Sequence, residues 1–424
     1  MEKSEFYRDA RRDLSGPLAG VRAVEITTTW AGPMCGCMLA DYGADVIKVE
    51  HPDGEIARRS PPFLPGCEPP LSFMHATVNR NKRSLALDLR DARGREIFLR
   101  LAARADVVIE NFRPGTLEAW GCGYTAVRAL RRDVVYVSIS GFGQWGPQAN
   151  ELGYDPLAQA AGGFLSLNGA PEGEPVKAPT FLADDLAGLH AAFATLAALR
   201  HRDRTGEGQH VDVALLDAML FQSTGYLTLG ALDVSLPRLG NQFRIAAPAN
   251  TYRCSDGYIL AGVLLDSHWK RLAALIGRPD VADDPRYATA PERIRRREEV
   301  DAWMAAWAAP QRADDALAAL VAAGVPASRV QSYAEAARST HVAAREMLQP
   351  ASAAGREIPV VGPAAKLSRT PLAVRSGAPS LGAHDDEILA ELGISSDERR
   401  ALREAGVVGA ARGKPVGATL RKPD

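Results

Sequence analysis

Cysteine is scarce and scattered. The 424 residues hold five: Cys35, Cys37, Cys67, Cys122 and Cys254. An odd, dispersed set suits a reducing compartment better than a disulfide scaffold. Cys35-Gly36-Cys37 has no second pair at metal-ligand spacing, and the eight histidines include no H-E-x-x-H, so no metal site is expected. Charge of one sign is not in excess. Lys and Arg number 50 against 51 Asp and Glu, a net charge of −1. That argues against a dedicated nucleic-acid partner but leaves room for a local basic pocket. No apolar run reaches about 18 residues, so no membrane span is expected. The first residues, MEKSEFYRDARRDLSG, lack the apolar core of a secretory signal, so the expected location is cytoplasmic. No G-x-S-x-G occurs, which excludes a nucleophile elbow. No repeat of 20–50 residues is present.

What is there alternates. VRAVEIT (21–27) reads as a strand, AGPMCGCMLADYG (31–43) as a helix capped by Gly43, and ADVIKVE (44–50) as a second strand. A helix at 91–105 and strands at 106–112 and 134–140 continue the pattern. Such alternation implies an open α/β sheet with right-handed crossovers. A long helix, 185–206, stops at Thr205-Gly206. Residues 210–222 read equally as strand or helix. After 225 the texture changes. A hairpin around Ser255-Asp256-Gly257 and helices at 266–276, 293–309 and 312–323 suggest a smaller α+β domain. The expected division is 15–224 and 331–405 for the large domain and 225–330 for the small one. A final helix lies at 385–405, and 406–424 is expected to be a disordered tail.

GFGQWG (141–146) matches G-x-G-x-x-G after a strand. Pro147 follows at once, no acid stands about 20 residues on, and the turn is not in the first βαβ unit. It reads as a glycine-rich loop shaping some other site. ENFRPG (110–115) ends a strand where open α/β sheets bind ligands, and Arg113 there is either a phosphate ligand or a surface arginine. Arg80, Lys82, Arg83 and Arg90 crowd one short run, either an anion site or a solvated face. FLADDLAGLH (181–190) sets two acids where an extended run meets a helix. One serves as the N-cap, which leaves the other free. The helix dipole is expected to keep the free one ionised, and an ionised carboxylate can act as a covalent nucleophile.

Eight segments in order carry a resemblance: PLAGVRAVEIT, WAGPMCGCMLADYGADVIKVEHP, NRNKRSLALDL, ADVVIENFRPGTLEAWGCGY, SISGFGQWGP, GYDPLAQAAGGFLSLNG, the run 183–220, and SDGYILAGV. Over about residues 17–400 the chain resembles the family III CoA-transferases (CaiB/BaiF family), the group of formyl-CoA transferase and crotonobetainyl-CoA:carnitine CoA-transferase. The resemblance implies an α/β protein with a Rossmann-like large domain and a smaller α+β domain. It also implies two interlocked chains, either identical or a heteromer with a related subunit. CoA would be a substrate, with no further cofactor. CoA would move from an acyl-CoA donor, possibly succinyl-CoA, to a carboxylic acid.

The family's nucleophile is an aspartate four residues before a glycine. Asp184 stands four before Gly188, and Asp185 is its neighbour. By position, Trp30, Ala31, Leu87, Arg90, Asn111, Phe112 and Arg113 match CoA-contacting segments. His51 stands where a family arginine often contacts CoA, and Ala119 replaces another arginine. Gly240 and Asn241 match a mobile glycine loop, with fewer glycines here. Within the same superfamily, α-methylacyl-CoA racemase uses a histidine where this chain has Tyr154, a substrate-site candidate and a poor base at neutral pH.

Overall fold

Short β-branched runs separated by helices build one parallel sheet. The computed structural model describes residues 1–410. Its strands are β1 (Arg22–Ile26), β2 (Asp45–Glu50), β3 (Lys82–Ala86), β4 (Val107–Glu110), β5 (Val135–Ser140) and β6 (Gln209–Ala214). They pair in the order β3-β2-β1-β4-β5-β6, all parallel. The order reverses between β1 and β4, and there a crevice opens beyond the strand ends. The α/β class and the Rossmann-like sheet agree with the reading of the sequence. Residues 210–222 satisfy both alternatives, as the end of β6 followed by a helix, Leu215–Phe221.

The principal helices of this unit are α1 (Ala31–Asp41), α2 (Ala92–Ala102), α3 (Asp155–Ala161), α4 (Leu182–Thr205) and α5 (Leu215–Phe221). Helix α2 buries Ile97, Phe98 and Leu101 against the sheet residues Val24, Val49 and Val108. Helix α1 covers strands whose inward side chains are charged. Glu25, Lys48 and Lys82 are each fully buried. Lys82 Nζ donates to Glu25 Oε1 at 2.8 Å and to the Pro33 carbonyl at 2.8 Å. Lys48 Nζ lies 2.9 Å from Glu55 Oε1 and donates to the Thr27 carbonyl at 2.9 Å. A buried charge is tolerable only when paired and hydrogen-bonded. Gly36 makes the pairing possible, since a Cβ there would sit 1.7 Å from Glu25 Oε2.

By length and composition α4 could cross a bilayer, although no 18-residue run was uninterrupted. Its Ala183, Ala187, Gly188, Ala191, Thr195, Ala198 and Leu199 are buried, the packing of a core helix.

Two compact units emerge. One holds residues 1–162, 178–228 and the described residues from His341 onward; the other holds Gly163–Lys177 and Leu229–Thr340. The segment 163–177 thus belongs to the second unit while α3 and α4, on either side of it in sequence, belong to the first, and the expected bounds of 225–330 do not include it. The second unit carries the antiparallel sheet β7 (Ala249–Cys254), β8 (Gly257–Gly262) and β9 (Ala327–Arg329), with the hairpin turning at Ser255-Asp256. Its core gathers Trp269, Ile259, Met304 and Leu320.

The helix expected at 385–405 is two, α6 (Asp385–Glu391) and α7 (Ser396–Glu404). Gly393, at φ 75, separates them, and a Ser395–Glu398 capping box starts the second. Residues 406–410, expected to belong to a disordered tail, are packed. Val407 and Val408 are buried, Asp88 N–H donates to the Val407 carbonyl, and Val408 bridges Leu87. Residues 411–424 lie outside the described residues.

Candidate functional site

The site is built on the first turn of α4. Phe181 is the N-cap and offers no side-chain bond, so neither Asp184 nor Asp185 caps the helix. This corrects the expectation of a cap from the pair. The acceptor comes from α3: Asp155 Oδ1 takes the Ala183 N–H at 2.7 Å. Asp185 is tied elsewhere, because Trp30 Nε1 donates to its Oδ1 at 2.6 Å. The Trp30 ring packs on Phe181 with centroids 4.9 Å apart. Asp184 alone has no hydrogen-bond or ion-pair partner among the described residues.

Burial, then the like charges of Asp155 and Asp185, push the Asp184 carboxyl up to about 7. The expectation that the helix dipole keeps it ionised is thereby corrected. The dipole contributes at most about 1–2 kcal/mol, and desolvation plus two neighbouring carboxylates outweigh it. Burial also raises Asp185, and the indole N–H of Trp30 opposes that rise. A carboxylate held by no donor keeps its full electron density when it ionises, which favours covalent attack.

The spacing from Asp184 to Gly188 has a packing cause. A Cβ on Gly188 would come 3.0 Å from both the Ala31 carbonyl and the Met34 side chain. The missing side chain lets α4 approach α1, and Ala31 is thereby part of the helix contact. Trp30, at the start of α1, then meets Asp185.

At the switch point lies a crevice of about 320 Å³. Its walls include Thr27 and Thr28 after β1, His51 after β2, Leu87 and Arg90 after β3, and Phe112 and Trp120 after β4. Four of the expected CoA-contacting residues, His51, Leu87, Arg90 and Phe112, are thus brought together. Arg90 is exposed, but its Nε donates to Asp88 Oδ1 at 3.0 Å and its Nη2 contacts His51 Nε2. Asn111 spends its amide on the protein. Its Oδ1 accepts from the Thr28 N–H and its Nδ2 donates to the Thr28 carbonyl, each at 2.8 Å. It therefore fixes a crevice wall. Arg113 is exposed outside the crevice lining and donates to the Asn150 carbonyl at 2.6 Å.

One loop joins crevice and acid. Thr28 lines the crevice, and Trp30, two residues on, holds Asp185. Between them Thr29 has φ 68, a costly conformation for a β-branched residue. Its N–H donates to Glu55 Oε2 at 2.6 Å, and Lys48 pairs with the same carboxylate.

Tyr154 precedes α3 and is 60% exposed. Gly240 and Asn241 belong to the second unit, where the Gly240 N–H donates to the Gly169 carbonyl and Asn241 Nδ2 donates to Thr251 Oγ1. Among the described residues no cluster of three His, Cys, Asp or Glu could hold a metal ion. Cys35 and Cys37 are buried and burial pushes both thiols up to about 12, so they remain protonated. Asp155, Glu55 and Trp120 escaped the sequence reading. For Asp155 a signal existed, since Asp-Pro after an extended residue marks a helix start.

The sequence profile of CoA-transferase family III matches residues 18–385. The chain is 39% identical over 386 residues to the succinate–glutarate CoA-transferase of Agrobacterium fabrum, covering 89% of this chain and 96% of that one. It is 37% identical over 395 residues to the succinyl-CoA:mesaconate CoA-transferase of Haloarcula hispanica, covering 91% and 98%. A crystal structure of a CaiB/BaiF family protein from Brucella suis superimposes with a TM-score of 0.81 at 36% identity, over 89% of this chain and all of that one.

Proposed function

Given that the chain belongs to CoA-transferase family III and is a CoA-transferase, we propose that it moves CoA from succinyl-CoA to a dicarboxylic acid through a covalent intermediate on Asp184. The observation that carries this reading is the Asp184 carboxylate. It is unpartnered and partly desolvated, and its neighbour Asp185 is held by Trp30, two residues after Thr28 of the switch-point crevice. Succinate, glutarate and mesaconate, the acids for which the two relatives are named, support the substrate class.

The steps balance without a cofactor. Asp184 attacks the thioester carbonyl of the donor; the C–S bond breaks, and CoA leaves as thiolate beside a mixed anhydride. The thiolate attacks the aspartyl carbon of that anhydride, giving an aspartyl-CoA thioester and free succinate. The acceptor carboxylate attacks this thioester and again expels the thiolate. The thiolate then takes the acceptor acyl group and returns Asp184 as a carboxylate. Four moderate barriers replace one high one. The crevice takes part of CoA, with Arg90 and His51 offering cationic and hydrogen-bonding groups to it. The partner in the assembly is a second copy of this chain. The exposed Leu189 and Phe193 of α4 and Phe221 of α5 form an apolar face suited to it.

The test is to incubate the protein with succinyl-CoA and a panel of four- and five-carbon dicarboxylates and to separate the acyl-CoA products. CoA appearing on one dicarboxylate with equal succinate released supports the reading. Hydrolysis alone, or deuterium wash-in at the α-carbon of a branched acyl-CoA without transfer, overturns it and favours the racemase chemistry.

A further inference from the structure

Helix α3 buries two polar side chains on one face. Asp155 is 5% exposed and Gln159, one helical turn later, is fully buried. Buried amides and carboxylates are costly unless satisfied, and both groups are satisfied around one stretch of chain. Gln159 Oε1 accepts the Ala178 N–H at 2.8 Å. Gln159 Nε2 donates to Asp155 Oδ2 at 2.7 Å. Asp155 Oδ1 accepts the Ala183 N–H at 2.7 Å. The stretch 178–183 is therefore fastened at both ends, and the next residue is Asp184.

The location gives the clamp its purpose. Residues 163–177 belong to the second compact unit, and the chain rejoins the first at Ala178. The start of α4 is thus not set by a short turn from α3. No side chain of α4 caps its own first turn. Asp155 has no ion-pair partner among the described residues; its oxygens are met by the Ala183 N–H and the Gln159 amide.

We propose that Asp155, supported by Gln159, is a positioning residue for the transfer reaction: it fixes the first turn of α4, and with it the place and charge surroundings of Asp184, without touching substrate. The proposal rests on Asp184 being the nucleophile. The charged groups acting on Asp184 are Asp185 of its own helix and Asp155 of α3. Helix α1 faces α4 here through Ala31 and Met34, and the acid of α5, Asp217, faces Asp212. A neighbouring like charge raises a carboxyl, and Asp155 acts on Asp184 in this direction. Asp155 therefore holds the nucleophile in place and keeps it protonated further up the pH scale.

The experiment follows a single turnover of the full-length protein with succinyl-CoA, reading CoA release and the mass of the Asp184 peptide between pH 5 and 9. Asp155→Ala is expected to slow acylation by about ten- to a hundredfold, the cost of a misplaced reacting group, with the half-saturating acyl-CoA concentration within about twofold. The paired exchange Asp155→Asn with Gln159→Glu keeps an oxygen for the Ala183 N–H and a donor facing an acceptor. It moves the charge one helical turn from Ala183. It is expected to restore most of the rate at high pH and to shift the acid limb about one unit lower. It also serves if the alanine variant does not fold. A wild-type acid limb and rate in both variants overturn the proposal. So does a loss confined to acyl-CoA affinity, which would mean that Asp155 contacts substrate. If the wild type forms no adduct on Asp184, the nucleophile assignment itself has failed. If it forms one and Asp155→Ala superimposes on it at every pH, the positioning role has failed; if the paired variant alone superimposes, the charge effect has failed.

Discussion

Replacing Asp184 by Asn should abolish transfer and stabilise the protein, by an amount that grows as pH rises from about 4 to above 7. The folded carboxyl stands at about 7 against an ordinary 3.8, because burial and two neighbouring acids oppose its charge. Between those values the native state binds a proton that the unfolded chain has released. Stability therefore falls as pH rises through this window, and the full penalty is present above pH 7. About three units at 1.36 kcal/mol each amount to ~4 kcal/mol at pH 8.5, and ~1.5 kcal/mol has accrued at pH 5. Residual solvent contact screens part of it. The variant should gain roughly 1–3 kcal/mol more over wild type at pH 8.5 than at pH 5. Thermal unfolding of both proteins at the two pH values reads this directly, as a Tm advantage that grows with pH. A constant difference, or a variant less stable at pH 8.5, would refute the claim that Asp184 is held against its own ionisation. The gain would be the stability that the site gives up for its chemistry.

Three further outcomes follow from packing. Trp30→Phe removes the indole N–H from Asp185 Oδ1, a charge-assisted bond of about 1.5–3 kcal/mol; turnover should fall about tenfold or more, and wild-type turnover would remove Trp30 from the site. Gly36→Ala drives a methyl into the Glu25 carboxylate and breaks its buried bond to Lys82, so about 3–5 kcal/mol of stability should be lost; an unchanged Tm would contradict that packing. All five cysteines are buried, so an aromatic disulfide reagent at pH 8 should label none of them rapidly in the native protein and all five in denaturant; fast native labelling of Cys35 or Cys37 would show α1 to be loosely packed.

The parallel sheet was legible because its strands are short β-branched runs between glycine-punctuated helices, and the helix start that carries Asp184 because two acids follow an extended apolar run. What stayed hidden lies in contacts distant along the chain. Lys82 read as part of an anion site or a solvated face, and nothing in the sequence marked Glu25, Lys48 or Glu55 as its buried companions, yet these four neutralise one another, and Gly36 leaves the room beneath α1. The cap of α4 comes from Asp155, 28 residues upstream of Ala183, so local spacing pointed to the wrong carboxylates. Asn111 and Arg113 follow the end of β4, as expected. Their polar atoms nonetheless go to Thr28 and Asn150, partners that periodicity does not identify. Residues 163–177 carry no composition shift that marks their place in the second unit.

The most direct measurement is mass spectrometry of the protein after succinyl-CoA, with hydroxylamine or borohydride trapping, beside Asp184→Ala. The account predicts a trapped adduct on the peptide bearing Asp184 and none in the variant. An adduct on another residue, or acyl transfer that persists in Asp184→Ala, would contradict it.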